Sequence, residues 1–240
     1  MFKVLKELMG AWREGAAEAK AEAELEEAKK LETHATLSAQ MQATPAFEQF
    51  VMALGAPYRQ SFTRELSSAK RDERPAIYLC SFALPPDEKP ETWRGLLERD
   101  FSITDEASLR EVLAGVREVV SVAADASDHA TVALWVARVG HIVSAGHAVG
   151  MISNKHACEL AFPFVLAAMK SFDGWTPYSA AFLQGDSDES NMLSRKLMAS
   201  SVQALKDSEL SPWATVSWPT TPEQIDTLVA WGARAAERDA

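Results

Sequence analysis

From Ala130 to Gly185 the sequence runs through a long apolar segment, a short polar turn, a second apolar segment and an aromatic turn. That succession constrains the fold more than any other feature of the chain. At helical spacing Val132, Trp135, Val136, Val139, Val143 and Val149 share one broad face. Ala133, Ala137, Gly140, Ser144 and Ala148 form a row of small residues along which a second helix can approach closely. Gly150 and Ser153 bracket the break, with Ser153 placed as N-cap of a helix carrying Leu160, Phe164, Ala168 and Phe172. The second segment stops before Asp173-Gly174-Trp175-Thr176-Pro177. The expectation is a central helical hairpin. Val132–Ile152 is long enough to cross a bilayer, but Arg138, His141 and His147 would be costly there, so a buried core helix is the reading.

The flanking sequence extends the helical pattern in both directions. Phe2, Leu5, Met9 and Trp12 make an apolar stripe, after which Ala16 to Lys30 is Ala, Glu and Lys with only Leu25 to bury. Residues 1–40 therefore read as a helical arm, and 41–240 as one all-helical globular domain. Thr44-Pro45 opens a helix through Phe47, Phe50, Val51 and Leu54, which Gly55-Ala56-Pro57 is expected to stop. Phe62 and Leu66 suggest a further turn. Ile77 to Leu84 reads as buried helix, because a strand there would have no partner. Pro85 to Pro90 is a loop, and Trp93, Leu96, Leu97 and Phe101 form the next helix. Thr104 is the expected N-cap of a helix burying Leu109, Val112, Leu113, Val116 and Val120. A short helix over Tyr178–Leu183 should close at the polar run Gly185 to Ser190, and Met192 to Leu205 is helical again. Thr221-Pro222-Glu223-Gln224 fits a capping box with proline at the first helical position.

Charge and cysteine content exclude several classes. A net charge of -10 with pI near 5.1 argues against wrapping nucleic-acid phosphate, which needs a basic face, whereas it suits a basic protein partner. Cys80 and Cys158 are too few for a disulfide framework and read as free thiols. The opening Met1 to Leu8 is charged within its apolar stretch and lacks a small-residue cleavage pattern, so the expected location is the cytoplasm.

The candidates for chemistry are sparse. His141 and His147, six residues apart on one helix, point about 120° apart and read as histidines at the rim of the core. His156 and Glu159 share a face, but a zinc site needs three or four converging ligands, so neither metal nor cofactor is expected. Asp125, Asp128 and His129 form the most catalytic-looking cluster, in which a carboxylate would orient His129 as a base. Helix capping explains Asp125 and Asp128 more simply. Asp186, Asp188 and Glu189 read as a solvated turn, lacking the glycine and distal glutamate of a calcium loop. Trp175, Trp213 and Trp218 read as staples between helices.

Several of these residues also recur in one order. Trp93 followed by Phe101-Ser102-Ile103-Thr104-Asp105, the turn Gly146-x-x-x-Gly150-Met151-Ile152-Ser153, Phe172-Asp173-Gly174-Trp175, Phe182-Leu183-x-Gly185 and Ser211-Pro212-Trp213-x-x-x-x-Trp218 resemble family 1266 of the bacterial domains of unknown function. The resemblance covers about Trp93 to Trp218 and implies a helical domain without an established activity. Two places depart from that family's pattern. Its acidic residue three positions before the arginine matching Arg138 is Trp135 here, and the stretch after Gly185 is acidic and serine-rich.

Three functional readings follow. The preferred one is a cytoplasmic protein-binding module, in the form of an acidic immunity or adaptor protein facing a basic toxin or effector domain, with Phe2, Leu5, Met9 and Trp12 as partner contacts. The second is a hydrolase-type enzyme with Asp128, His129 and Arg138 in a cleft beside the hairpin. The third is a membrane-inserting protein that uses the hairpin at 130–172.

Overall fold

The computed structural model describes residues 19–25, 27–29, 31, 32, 35, 36, 38, 39, 41–66, 82–84, 88–189 and 192–237. The apolar stripe of Phe2, Leu5, Met9 and Trp12 and most of the Ile77–Leu84 run lie outside them. The chain divides into two units, Met1–Ala39 and Gln40–Ala240. In the first, the described residues are helical, with Leu25 and Leu31 exposed.

The second unit is all-helical throughout its described residues: α1 (Ala46–Leu66), α2 (Pro90–Phe101), α3 (Glu106–Asp125), α4 (His129–Ala148), α5 (Asn154–Ser171), α6 (Trp175–Glu189), α7 (Met192–Asp207), α8 (Pro212–Thr215) and α9 (Pro222–Glu237). α4 is the hub, packed by α1, α2, α3, α5 and α6. Its apolar sequence predicts a broad buried face, and burial in fact runs almost all the way round from Val132 to Gly146. A helix enclosed by five others has no solvent side to keep polar.

The small-residue row of α4 receives α1. A Cβ built on Gly140 would lie 2.7 Å from the Gly55 amide nitrogen and 2.8 Å from the Val51 carbonyl oxygen. Reciprocally, one on Gly55 would lie 2.6 Å from the Gly140 carbonyl carbon. The two glycines bring the helix backbones into contact at this crossing.

α1 does not stop at Gly55-Ala56-Pro57 but continues to Leu66 with Pro57 inside it. A mid-helix proline removes one N–H and orphans the carbonyl four residues earlier. That carbonyl belongs to Ala53, and it accepts instead from the Trp213 indole N–H at 2.8 Å. The Tyr178 hydroxyl likewise donates to the neighbouring Leu54 carbonyl at 2.8 Å. Tertiary contacts from the far end of the chain thus complete the helix that proline interrupts.

Two other boundaries differ from the sequence reading. The N-cap of α3 is Asp105 rather than Thr104: its carboxylate accepts from the Ser108 amide at 2.8 Å, and Ser108 Oγ accepts from the Asp105 amide. The polar run after Gly185 continues α6 to Glu189, with Asp186 only 4% exposed. Gly185 is no terminator. A Cβ there would lie 2.5 Å from the Ala130 carbonyl oxygen, so glycine permits α6 to meet the start of α4. The predicted caps at Ser153 and Thr221 form as expected, the second with Gln224 closing the box.

α2 ends on Ser102 in the left-handed conformation, φ 57°. Glycine adopts that conformation without the steric cost that a side chain carries. Ser102→Gly should therefore raise stability by about 0.5–1 kcal/mol, read as a higher urea midpoint at unchanged m-value.

Candidate functional site

The residues nominated for hydrolysis do not converge. Asp128 caps α4, its carboxylate accepting from the Thr131 amide at 3.1 Å. Hydrogen bonds from the Thr131 side chain and amide hold this carboxyl below its ordinary range, the opposite of what a general base requires. His129 packs against Phe172, with ring centroids 5.5 Å apart. Arg138 lies nine residues along the same helix, which turns it to the opposite side. There its Nε donates to the Tyr58 hydroxyl at 2.9 Å and its guanidinium lies 4.5 Å from the Trp135 ring centre. Trp135 thus gives Arg138 a π face.

Of the other candidates, Asp125 meets Lys170 at 3.2 Å, and His156 lies 3.8 Å from Glu106. Among the described residues no group of three His, Cys, Asp or Glu side chains is placed to hold a metal ion. The Cys158 thiol is pushed up to about 12 by burial and then by Glu48 and Glu159, so it is an unreactive core group.

A different polar cluster occupies the centre of the fold, beside the α1–α4 crossing. Glu48, Arg59, His141 and Ser144 are all buried. Glu48 and Arg59 stand three turns apart on one face of α1, in line with Gly55 and Phe62. Glu48 accepts from the Phe82 amide and from Asn154 Nδ2, each at 2.8 Å. Arg59 donates from Nη2 to the Ala83 carbonyl at 2.9 Å and makes a long 3.4 Å contact from Nη1 to Ser144 Oγ. Its guanidinium lies 4.5 Å from the centre of the Trp93 ring, whose indole N–H donates to Glu88 at 2.6 Å. Burial pulls the arginine down to about 10 against the raising effect of Glu88.

His141 is not at the rim of the core but fully inside it. Its ring stacks on Phe62 at 4.7 Å, with Trp93, Phe101 and Tyr58 at 5.5, 6.0 and 6.1 Å. Neither ring nitrogen has a hydrogen-bond partner among the described residues. Burial first, and the Arg59 charge second, lower it to about 3, which leaves it neutral.

Among the described residues, α3 and α5 border an extended groove on the outer surface. α3 and α5 run parallel, with Glu106 near His156 at their starts and Asp125 bound to Lys170 at their ends. Between them lies a furrow of about 930 Å³ with Leu113, Leu160, Phe162 and Phe164 along its floor. A further hollow of about 280 Å³ continues it past Val120 and Ala167. Pro163 in α5 removes the N–H that the Glu159 carbonyl would otherwise receive, and both residues line the furrow. Leu166 lies on its edge, 38% exposed.

Fold and site together define an all-helical domain with a buried arginine and histidine at its central crossing. The chain belongs to the family described as protein of unknown function (DUF1266), whose model matches residues 4–218. No curated protein and no solved structure matches it. The residues that carried the resemblance now have places. Phe172, Trp175, Trp213 and Trp218 form one aromatic cluster with Phe50 and Tyr178, Trp175 and Trp218 being 4.7 Å apart. Trp93 packs against both Arg59 and His141.

Proposed function

We propose that the chain is a protein-binding module that takes a helix of another protein into the furrow between α3 and α5. The furrow itself carries the reading: it is elongated, has an apolar floor, and is bounded at either end by charged residues. A helix laid there would set apolar side chains at three- and four-residue spacing against Leu160, Phe164 and Leu113. Arg117 and Glu118 on the rim are in no ion pair among the described residues and would fix its orientation. A net charge of -10 favours a basic partner, as an acidic immunity or adaptor protein in the cytoplasm would meet in a toxin or effector domain. Phe2, Leu5, Met9 and Trp12 are further proposed contacts, outside the described residues. Against a membrane partner, no helix among the described residues is long and apolar enough to cross one.

The experiment is a photo-crosslinking residue in place of Ser121, inside the furrow, followed by identification of the adduct and measurement of its affinity. Leu166→Glu should weaken that complex at least tenfold, about 1.4 kcal/mol, while shifting stability by no more than about 0.5 kcal/mol. An unchanged affinity in the variant, or an adduct that forms equally from a residue on another face, overturns the proposal.

A further inference from the structure

The buried cluster beside the α1–α4 crossing is separate from the surface furrow and is independent of the proposal made for it. Arg59 and His141 break the rules for a core at one place. A guanidinium carries five N–H donors, and Arg59 makes two hydrogen-bond contacts, one of them long, besides lying over the Trp93 ring. No carboxylate lies within ion-pair distance of it among the described residues, although it is 1% exposed. His141, 0% exposed, adds a donor nitrogen and an acceptor nitrogen with no partner. Buried donors left unmatched are costly, and cores that retain them do so at functional positions.

The surplus is one-sided. Donors exceed acceptors, and the charge is positive, so the complement is an anionic oxygen group. The walls narrow the class further. Trp93, Phe62, Phe101 and Tyr58 present flat faces around His141, and the planar guanidinium pairs best with a planar two-oxygen partner. Phe82 and Ala83 lie against the cluster, Glu48 holding the amide of the first and Arg59 the carbonyl of the second. The Ala83 carbonyl already occupies the kind of position on Arg59 that a ligand oxygen would take.

We propose that Arg59 and His141 form a binding site for a small planar carboxylate, which replaces the Ala83 carbonyl on the guanidinium and accepts the imidazole N–H. Trp93 and Phe62 flank the site, and Glu48 retains the Phe82 amide as Ala83 shifts.

Melting of the full chain at neutral pH, in acetate or benzoate against sodium chloride and phosphate at matched ionic strength, tests this directly. At tenfold excess over its dissociation constant a carboxylate should raise Tm by about 3–5 °C above chloride. His141→Phe keeps an aromatic ring in the stack and should abolish the rise. Long-range proton–nitrogen spectra of the imidazoles provide a second reading that needs no variant to bind: the His141 nitrogens should shift on adding acetate while the exposed histidines stay in place. No carboxylate-specific rise together with unmoved His141 nitrogens overturns the proposal. An equal rise with phosphate, or a rise that persists in His141→Phe, overturns the planar-carboxylate assignment.

Discussion

Gly140→Ala will destabilise the domain, and Gly115→Ala will stabilise it. In an exposed helix the glycine-to-alanine exchange gains about 1 kcal/mol, because the unfolded chain loses freedom and the helix gains propensity. Gly115 in α3 meets that condition, since a Cβ there has nothing within 4 Å. At Gly140 the same methyl would sit 2.7 Å from the Gly55 nitrogen, 2.8 Å from the Val51 oxygen and 2.9 Å from the Gly55 Cα. All three are backbone atoms, so no rotamer change relieves the clash and α1 must move away from α4. Overpacking of this kind costs about 1–3 kcal/mol, and rigid neighbours place it at the upper end. After subtracting the propensity gain, the net loss should be about 2 kcal/mol, so the two variants should differ by about 3 kcal/mol in urea unfolding. A Gly140→Ala midpoint at or above wild type would mean that the crossing is not a backbone contact. Gly140→Leu should be worse still and serves as the extreme of the series.

The reason this crossing could be read from sequence is that small residues at three- and four-residue spacing admit one interpretation inside an apolar helix. The caps at Ser153 and Thr221 were equally legible, because an N-cap is a local hydrogen bond between residues three apart. Pro57 was not legible. The donor that rescues its helix is Trp213, 160 positions from the Ala53 carbonyl it serves, and nothing near Pro57 announces it. Gly185 misled for a related reason: its glycine serves a close approach to Ala130 in another helix, not a turn of its own backbone. The central cluster did leave a trace. Glu48, Gly55, Arg59 and Phe62 fall on one stripe of α1, and two opposite charges on an apolar stripe mark a buried polar site. His141 showed only that it interrupts an apolar helix. Its depth depends on α1, α2 and α4 closing around it, which no single helix encodes.

The stability of the domain will fall in mild acid, and His141 will account for most of the difference from its phenylalanine variant. In the folded chain the ring titrates at about 3 rather than 6.5, because protonation would place a charge in the aromatic core beside Arg59. The unfolded chain therefore binds the proton first as pH falls. His141 contributes its full stability above about 6.5, loses it progressively between about 6.5 and 3, and loses no more below. Between pH 7 and pH 4 the loss amounts to about 3 kcal/mol, or roughly 6–12 °C in Tm for a domain of this size. The groups around the ring reinforce the sign. Arg59 from α1 opposes imidazolium, Tyr58 and Phe62 from α1 and Trp93 and Phe101 from α2 offer no charge, and Glu88 is engaged on the Trp93 indole. His141→Phe removes the titrating group and keeps the stack, so its stability should fall more gently over the same range. The comparison is one of slopes, which cancels both the carboxylates titrating elsewhere and any packing offset from the slightly larger ring. It must be made in carboxylate-free buffer, since an anion seated on Arg59 and His141 would favour the imidazolium and flatten the wild-type slope. Parallel slopes for the two proteins under those conditions would show that the His141 ring reaches water in the folded state, and its place in the core would have to be redrawn.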